Sequence, residues 1–402
     1  MPSRKKAAAV TLAVPGFMAS GVFCGIKKSK KKDLALIYSE ADCAVAGVFT
    51  TNRVKAAPVI LDMKRIRSGA SRGVVINSGN ANACTGEPGY RDSVAMASLV
   101  EEALGLESGD ILVSSTGVIG VPLPMDRIRS GVPGLVRGLS RRGLRAASEA
   151  IMTTDAFAKA AVAHAEIGGI GVTVAGIAKG AGMVCPNMAT MLAFFVTDAN
   201  IRRRALKKAL AEATEASFNS IMVDNDTSTN DTVLIFANGF SGGGEIGARG
   251  PGYKTFSELL TGVSIELAHM IVRDGEGATR FIEIEVKGAS SGRDARKAAR
   301  TVAGSYLVKT AFFGGDPNWG RIMAALGRSG IRMKERLVDI TLNGVPVVAE
   351  GLDTGAEKQA ARAMDKKEVT IAVDLNMGGA SYRFWTTDLT YAYVRINSMY
   401  RT

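Results

Sequence analysis

A chain of 402 residues is too long for one simple core, and its length suggests two or three domains or one large layered unit. Hydrophobic residues make up 47% and charged residues 22%, an ordinary globular balance, while 6% aromatics and 46 glycines favour tight turns over an aromatic-rich binding surface. The net charge of +12 attracts anions in general, but the basic runs Lys27–Lys32 and Arg202–Arg204 carry no interleaved aromatics, which argues for solvated faces and against a nucleic-acid platform.

In chain order, Arg4-Lys5-Lys6 precedes an apolar stretch from Ala7 to Ile26 that mimics a signal peptide. Pro15, Gly16 and Gly21 interrupt it and no A-x-A site closes it, so it reads as a first strand and turn. Short β-rich runs follow at Leu34–Tyr38, Ala44–Thr50, Pro58–Leu61 and Gly73–Ile76. Asp92–Leu106 has a capping residue and helical spacing, Asp110–Gly120 reads as a strand ending in a hydroxyl-rich turn, and Ser140–Asp155 starts helical and ends on a threonine pair. A strand-like run follows Thr190, then a basic helix over 199–218, a strand over Asp231–Gly239 and a helix over 255–277. Arg280–Ala289 alternates with period two, as do 338–348 and 368–378. The Gly-rich stretch Phe240–Gly252 lacks a P-loop lysine and reads as a surface loop. No other uninterrupted apolar run is long enough to span a bilayer. Strands and helices intermix without a strict βαβ rhythm, which predicts an α+β layered fold.

The chemistry is narrowed by what is missing. Cys24, Cys43, Cys84 and Cys185 form no C-x-x-C pair, and His164 and His269 are the only histidines, so no metal site is expected. Four thiols fit a reducing, cytoplasmic setting. There is no G-x-x-x-x-G-K-[ST], no G-x-S-x-G and no H-E-x-x-H, and both histidines read as packed residues. Hydroxyls remain. In "KGAGMVCPNMATMLAFFVTDA" (Lys179–Ala199), Thr190 stands where loop gives way to an apolar run. A threonine hydroxyl is a weak nucleophile without an adjacent base. Cutting the bond before it frees an α-amine with a reference pKa of about 7.7–8.0, which supplies such a base without histidine. The same Oγ can first attack the Ala189 carbonyl, and the β-methyl restricts χ1 and aims the oxygen.

That segment resembles the signature of the glutamate N-acetyltransferase / ornithine acetyltransferase family of arginine biosynthesis. The likeness extends to Pro15–Lys28, "VINSGNANACTG" (Val75–Gly86), "SSTGVIG" (Ser114–Gly120), "IMTTD" (Ile151–Asp155), "DNDTSTNDT" (Asp224–Thr232), "VRDGEGATRFI" (Val272–Ile282), "GGDPNWGRI" (Gly314–Ile322) and Asp388–Thr402. The resemblance implies a layered α/β sandwich of the self-cleaving N-terminal-nucleophile type shared with certain aminopeptidases. It implies cleavage between Ala189 and Thr190 into an N-terminal chain, 1–189, and a C-terminal chain, 190–402, that assemble as a heterotetramer. Thr190 would be the nucleophile, Thr116 and Gly117 the oxyanion hole, and Thr153, Lys179, Thr190, Glu276, Asn397 and Thr402 the substrate contacts, with Thr154 an alternative to Thr153. A zwitterionic amino acid suggests Lys179 against a carboxylate and Glu276 against an ammonium; the alternative for each is a surface ion pair. The implied reaction moves acetyl from N2-acetyl-L-ornithine to L-glutamate, with no cofactor; acetyl-CoA as a further co-substrate stays open. Cys185 and Asn225 depart from the family pattern without touching these positions. A self-cleaving aminopeptidase or amidase of the same fold is the rival enzyme, and an uncut basic binding protein is the non-enzymatic rival.

Overall fold

The computed structural model describes residues 11–185 and 191–399. The N-terminal part runs β1 (Phe17–Val22), β2 (Leu34–Phe49), α1 (Ala57–Arg65), β3 (Ala70–Asn80), α2 (Gly86–Leu104), β4 (Ile111–Val118), α3 (Met125–Arg137), α4 (Leu144–Ala150), β5 (Lys159–Ile167) and β6 (Ile170–Lys179). It continues with β7 (Leu192–Thr197), α5 (Arg203–Ala216), β8 (Ile221–Met222), β9 (Thr232–Ala237), α6 (Pro251–Arg273) and β10 (Phe281–Ala289). Three helices follow, α7 (Gly292–Ala303), α8 (Tyr306–Phe313) and α9 (Trp319–Arg328). The remainder is β11 (Asp339–Leu342), β12 (Val345–Ala349), β13 (Leu352–Asp353), α10 (Glu357–Ala363), β14 (Glu368–Asp374), β15 (Ala380–Thr387) and α11 (Tyr391–Met399).

Two mixed sheets result, which is the α+β layered fold expected from the sequence. The first has the order β4-β3-β2-β9-β7-β6-β5, with β1 paired to β2, and the second β13-β12-β11-β14-β10-β15-β8. The first sheet interleaves strands from both sides of the proposed 189/190 cut. β7 and β9 lie parallel to each other, between β6 and β2. A cut there would leave two pieces joined by continuous ladders of backbone hydrogen bonds, so the expected chain boundary runs through one sheet.

Core packing follows from strand alternation. Phe194 and Phe195 are both fully buried on opposite faces of β7. Phe194 packs with Leu144, Ala147 and Ile177, whereas Phe195 joins a larger core containing Leu206 of α5, Phe256 and Leu267 of α6, and Ile284 of the second sheet. Burial of each such side chain stabilises the fold by roughly 2–3 kcal/mol. α6 is the one helix among the described residues long and apolar enough to cross a membrane, but it packs on β5 and β6 as a core helix.

Three sequence expectations are corrected. Pro58–Leu61 lies in helix α1, not in a strand. Proline is tolerated in a first helical turn, and Val59, Leu61 and Asp62 are buried while Ile60 and Met63 are exposed, a helical rather than alternating pattern. Leu34–Tyr38 and Ala44–Thr50 belong to one strand, β2, whose pairing with β3 shifts register between Tyr38 and Cys43. His164 is exposed on the edge strand β5, where its Nδ1 lies 3.0 Å from Thr173 Oγ1; only His269 is packed, edge-on to Phe281 and Trp385.

Candidate active site

The first site element is the end of β4. Its register with β3 sets Gly117 opposite Gly79, and Gly117 adopts φ +136°. A Cβ there would lie 2.3 Å from the Gly79 carbonyl carbon and 2.5 Å from the Asn80 nitrogen, so the two backbones can meet only through glycine. Buried asparagines hold this junction. Asn77 accepts a hydrogen bond from Ser115 Oγ at 2.6 Å and donates to the Asn80 carbonyl at 2.9 Å. Asn230 donates to the carbonyls of Ala81 and Ser115 at 2.6 and 2.8 Å. These bonds satisfy backbone groups where the ladder ends, which explains a polar, asparagine-rich sequence in a buried place.

Lys179 closes β6 and is buried, at 3% exposure, with no carboxylate within ion-pair distance among the described residues. The surface ion-pair alternative therefore does not hold for Lys179. Its Nζ donates to Thr116 Oγ1 at 3.2 Å. Burial pushes the ammonium's pKa down, while the charges of Asp155, Asp231 and Glu276 oppose that shift. The β6–β7 register pairs Lys179 with Leu192, which brings the chain back beside Lys179 as it resumes at Met191. There Met191 N–H donates to Asp231 Oδ1 at 2.9 Å. Burial raises the Asp231 carboxyl well above the usual range.

A cleft of about 240 Å³ opens beside these groups. Thr116, Gly117, Thr153, Lys179, Glu276 and Asn397 all line it, so six of the residues singled out from the sequence converge. Thr154 lines it as well, and the choice between the two threonines stays open. Ala189, Thr190 and Thr402 lie outside the described residues. Glu276 and Asn397 touch, Asn397 Nδ2 donating to Glu276 Oε2 at 2.9 Å. Their meeting depends on Gly277, at φ +67°, where a Cβ would lie 2.5 Å from the Tyr393 nitrogen. Thr390 Oγ1 donates to the Gly277 carbonyl at 2.7 Å and holds the start of α11 against that turn.

Several residues of the site escaped the sequence reading. Asp224 accepts from the amides of Met183 and Val184 at 2.6 and 2.8 Å and from Tyr393 OH at 3.2 Å, tying the loop after Lys179 to α11. Asp155 accepts from the Thr153 and Gly180 amides at 2.8 and 2.7 Å. Both aspartates sit inside sequence blocks that attracted attention, but single-sequence periodicity says nothing about which distant amides they hold. Lys159, in no such block, was detectable only as a lysine four residues after Asp155.

A cleft of hydroxyls, a backbone turn, a buried ammonium and a carboxylate, with neither histidine lining it, defines an enzyme site suited to amino acids and to stabilising an oxyanion. Comparison with known proteins gives the family. The ArgJ family matches residues 18–402. The arginine biosynthesis bifunctional protein ArgJ of Geobacter sulfurreducens is 52% identical over 391 residues, covering 97% of this chain and 100% of the relative. The protein of that name from Symbiobacterium thermophilum is 52% identical over 393 residues, covering 97% and 98%. Among solved structures, the ArgJ protein of Bacillus halodurans is 41% identical, with a TM-score of 0.50 over 52% of this chain and 98% of that one. The chain belongs to the ArgJ family.

The Thr116 hydroxyl gives a direct test of the oxyanion role. Thr116→Val keeps the shape and removes the donor, and is expected to lower kcat by about 10²–10³-fold. Thr116→Ser keeps the donor and should stay within about tenfold. Steady-state assays of acetyl transfer check the pair; equal rates in the two variants remove Thr116 from the reaction.

Proposed function

We propose that this chain transfers the acetyl group of N2-acetyl-L-ornithine to L-glutamate through an acetyl-threonine on Thr190, after self-cleavage into 1–189 and 190–402. The observation that carries this reading is the convergence of Thr116, Gly117 and Lys179 on a cleft whose other wall holds Glu276 and Asn397. Thr190 Oγ attacks the acetyl carbonyl and gives its proton to the Thr190 α-amine. The Thr116 hydroxyl and the Gly117 amide stabilise the resulting oxyanion. Collapse breaks the acetyl C–N bond, and the ornithine amine leaves with the proton held on the Thr190 ammonium. L-Glutamate then enters and its neutral α-amine attacks the ester; its proton passes through the Thr190 α-amine to Thr190 Oγ as the acetyl C–O bond breaks, and N-acetyl-L-glutamate leaves. Lys179 pairs with a substrate carboxylate and Glu276 with an ammonium; Thr153 and Thr402 complete the contacts.

Relatives named as bifunctional ArgJ proteins support this reading, and they support a second acetyl donor. Acetyl-CoA, a thioester, would acylate the same hydroxyl without a further cofactor. The interleaved sheet would keep the two pieces together, and two such pairs would form the heterotetramer in the cytoplasm.

The covalent intermediate requires substituted-enzyme kinetics. Double-reciprocal plots at varied acetylornithine and fixed glutamate concentrations are expected to be parallel. Intact-mass analysis with acetylornithine alone should show one acetyl group added to the piece beginning at Thr190. Converging lines with no acetylated piece would overturn the intermediate, and acetate release without glutamate would favour an amidase.

A further inference from the structure

A second cavity, of about 550 Å³, opens between α1 and the start of α2 and takes no part in the transfer from acetylornithine. Arg53, Lys55 and Lys64 line it, and Glu87 is the one carboxylate among its lining residues. None of the three cations forms an ion pair among the described residues. Lys55 Nζ donates to the Asn52 carbonyl at 2.7 Å. Lys64 Nζ donates to Tyr90 OH at 3.2 Å and lies 4.6 Å from the centre of that ring, which also lines the cavity. Each ammonium keeps further donors after these bonds. The backbone adds to the positive character, because α2 starts at Gly86 with no side-chain cap on its first amides, and Thr85 and Gly86 line the cavity. Val54 and Ile60, both exposed apolar side chains, share the lining. Cations beside apolar side chains suit a ligand that is anionic in one part and apolar in another.

The cleft has the opposite balance. Asp224, Asp226 and Glu276 line it against one cation, Lys179. A phosphate group is repelled there and attracted to the cavity. Two narrow strips of chain separate the two. Thr229 lines the cleft, and its carbonyl accepts from the Ala56 amide at 2.9 Å, between Lys55 and Ala57 of the cavity lining. Ile119 also lines the cleft; the next residue, Gly120, donates to the Ala83 carbonyl at 2.9 Å, and Cys84 of the cavity lining follows. A strip of three residues spans roughly 10 Å even when fully extended. A long, flexible ligand can therefore reach from the basic cavity into the acidic cleft.

We propose that this cavity is the phosphate subsite for a coenzyme A thioester: Arg53, Lys55 and Lys64 hold the phosphates while the uncharged pantetheine arm crosses the strip and puts the acetyl group in the cleft. The subsite rests on the second-donor reading given under the proposed function. Thr190 Oγ attacks the thioester carbonyl, the C–S bond breaks, and the hydroxyl proton passes through the Thr190 α-amine to the departing thiolate. The same acetyl-threonine then meets glutamate. N2-acetyl-L-ornithine carries no phosphate and has no use for the subsite, so the two donors share Thr190 but differ in what binds their remote ends.

The test compares acetyl-CoA and acetylornithine as donors to glutamate, in the parent full-length protein and in Arg53→Glu/Lys64→Glu. The double variant is expected to raise the KM for acetyl-CoA by about tenfold or more and to leave the KM for acetylornithine at the parental value. Acetylpantetheine, which lacks the phosphates, should serve parent and variant equally. Arg293→Glu/Arg332→Glu makes the same change of net charge at exposed positions in and beyond the helices on the second sheet, and should leave the KM for acetyl-CoA unmoved at physiological ionic strength. An equal rise in both double variants, a rise in neither, or an equal rise for both donors overturns the subsite. If Arg53→Glu/Lys64→Glu fails to fold, Arg53→Glu alone decides in the same way. Calorimetric titration with CoA reads the subsite without turnover. Parent protein that uses acetylornithine but binds no CoA overturns the subsite and leaves the proposed function standing. Parent protein that binds CoA, and loses it in the Arg53 and Lys64 variant, yet moves no acetyl group from acetylornithine supports the subsite and sinks the proposed function.

Discussion

Thr190→Ala should accumulate as a single uncut polypeptide and lose acetyl transfer by at least about 10⁴-fold. The substitution removes one oxygen, but in the proposed reaction that oxygen has two consecutive tasks. It attacks the Ala189 carbonyl to open the backbone, and it later carries the acetyl group. Its loss also withholds the α-amine that acts as base, because that amine exists only after the cut. Thr190→Ser keeps the oxygen and is expected to be cut, but more slowly, since serine lacks the methyl that restricts χ1. Intact-mass analysis reads the cut and a steady-state assay reads the transfer. Full activity in an uncut Thr190→Ala protein would end the nucleophile assignment, and with it the need for cleavage.

Gly117→Ala is expected to lower kcat by about 10²–10³-fold while the binding of ornithine changes little. The added methyl meets the backbone of β3, at 2.3 Å from the Gly79 carbonyl carbon and 2.5 Å from the Asn80 nitrogen. No rotamer relieves such a clash, so β4 must move away from β3 at the turn proposed to display the oxyanion donors. Strain at a positive φ and separation of the strands should cost about 1–3 kcal/mol of stability. Lys179, Glu276 and Asn397 sit on other elements and would keep the proposed substrate contacts. Calorimetric binding of ornithine beside kcat separates the two effects. A variant with parental kcat would show that the β4 turn has no part in the chemistry, whatever its stability.

The two substitutions probe different sources of information. Thr190 could be proposed from sequence because the chemistry invoked is local: a hydroxyl, a small residue before it and a latent amine all lie within two positions. Of the site residues implied by the family resemblance, Thr116, Gly117, Thr153, Lys179, Glu276 and Asn397 line one cleft. Longer elements with strong periodicity, such as β10 and α6, were legible for the same reason of local pattern. Pro58–Leu61 was not, because four apolar residues fit a strand or a helix equally, and only the adjacent burial of Leu61 and Asp62 between exposed Ile60 and Met63 separates them.

By itself, then, the sequence determined the α+β class and the identity of the polar groups available for chemistry. Tertiary structure decided how those groups act on one another. It put the strands on either side of 189/190 into one sheet, buried Lys179 away from any ion-pairing carboxylate among the described residues, and linked Asp155, Lys159 and Asp274 although far apart in the chain. Hydrogen bonds and ion pairs of that kind depend on distances between elements far apart in sequence, and no periodicity or spacing within a single segment encodes such distances.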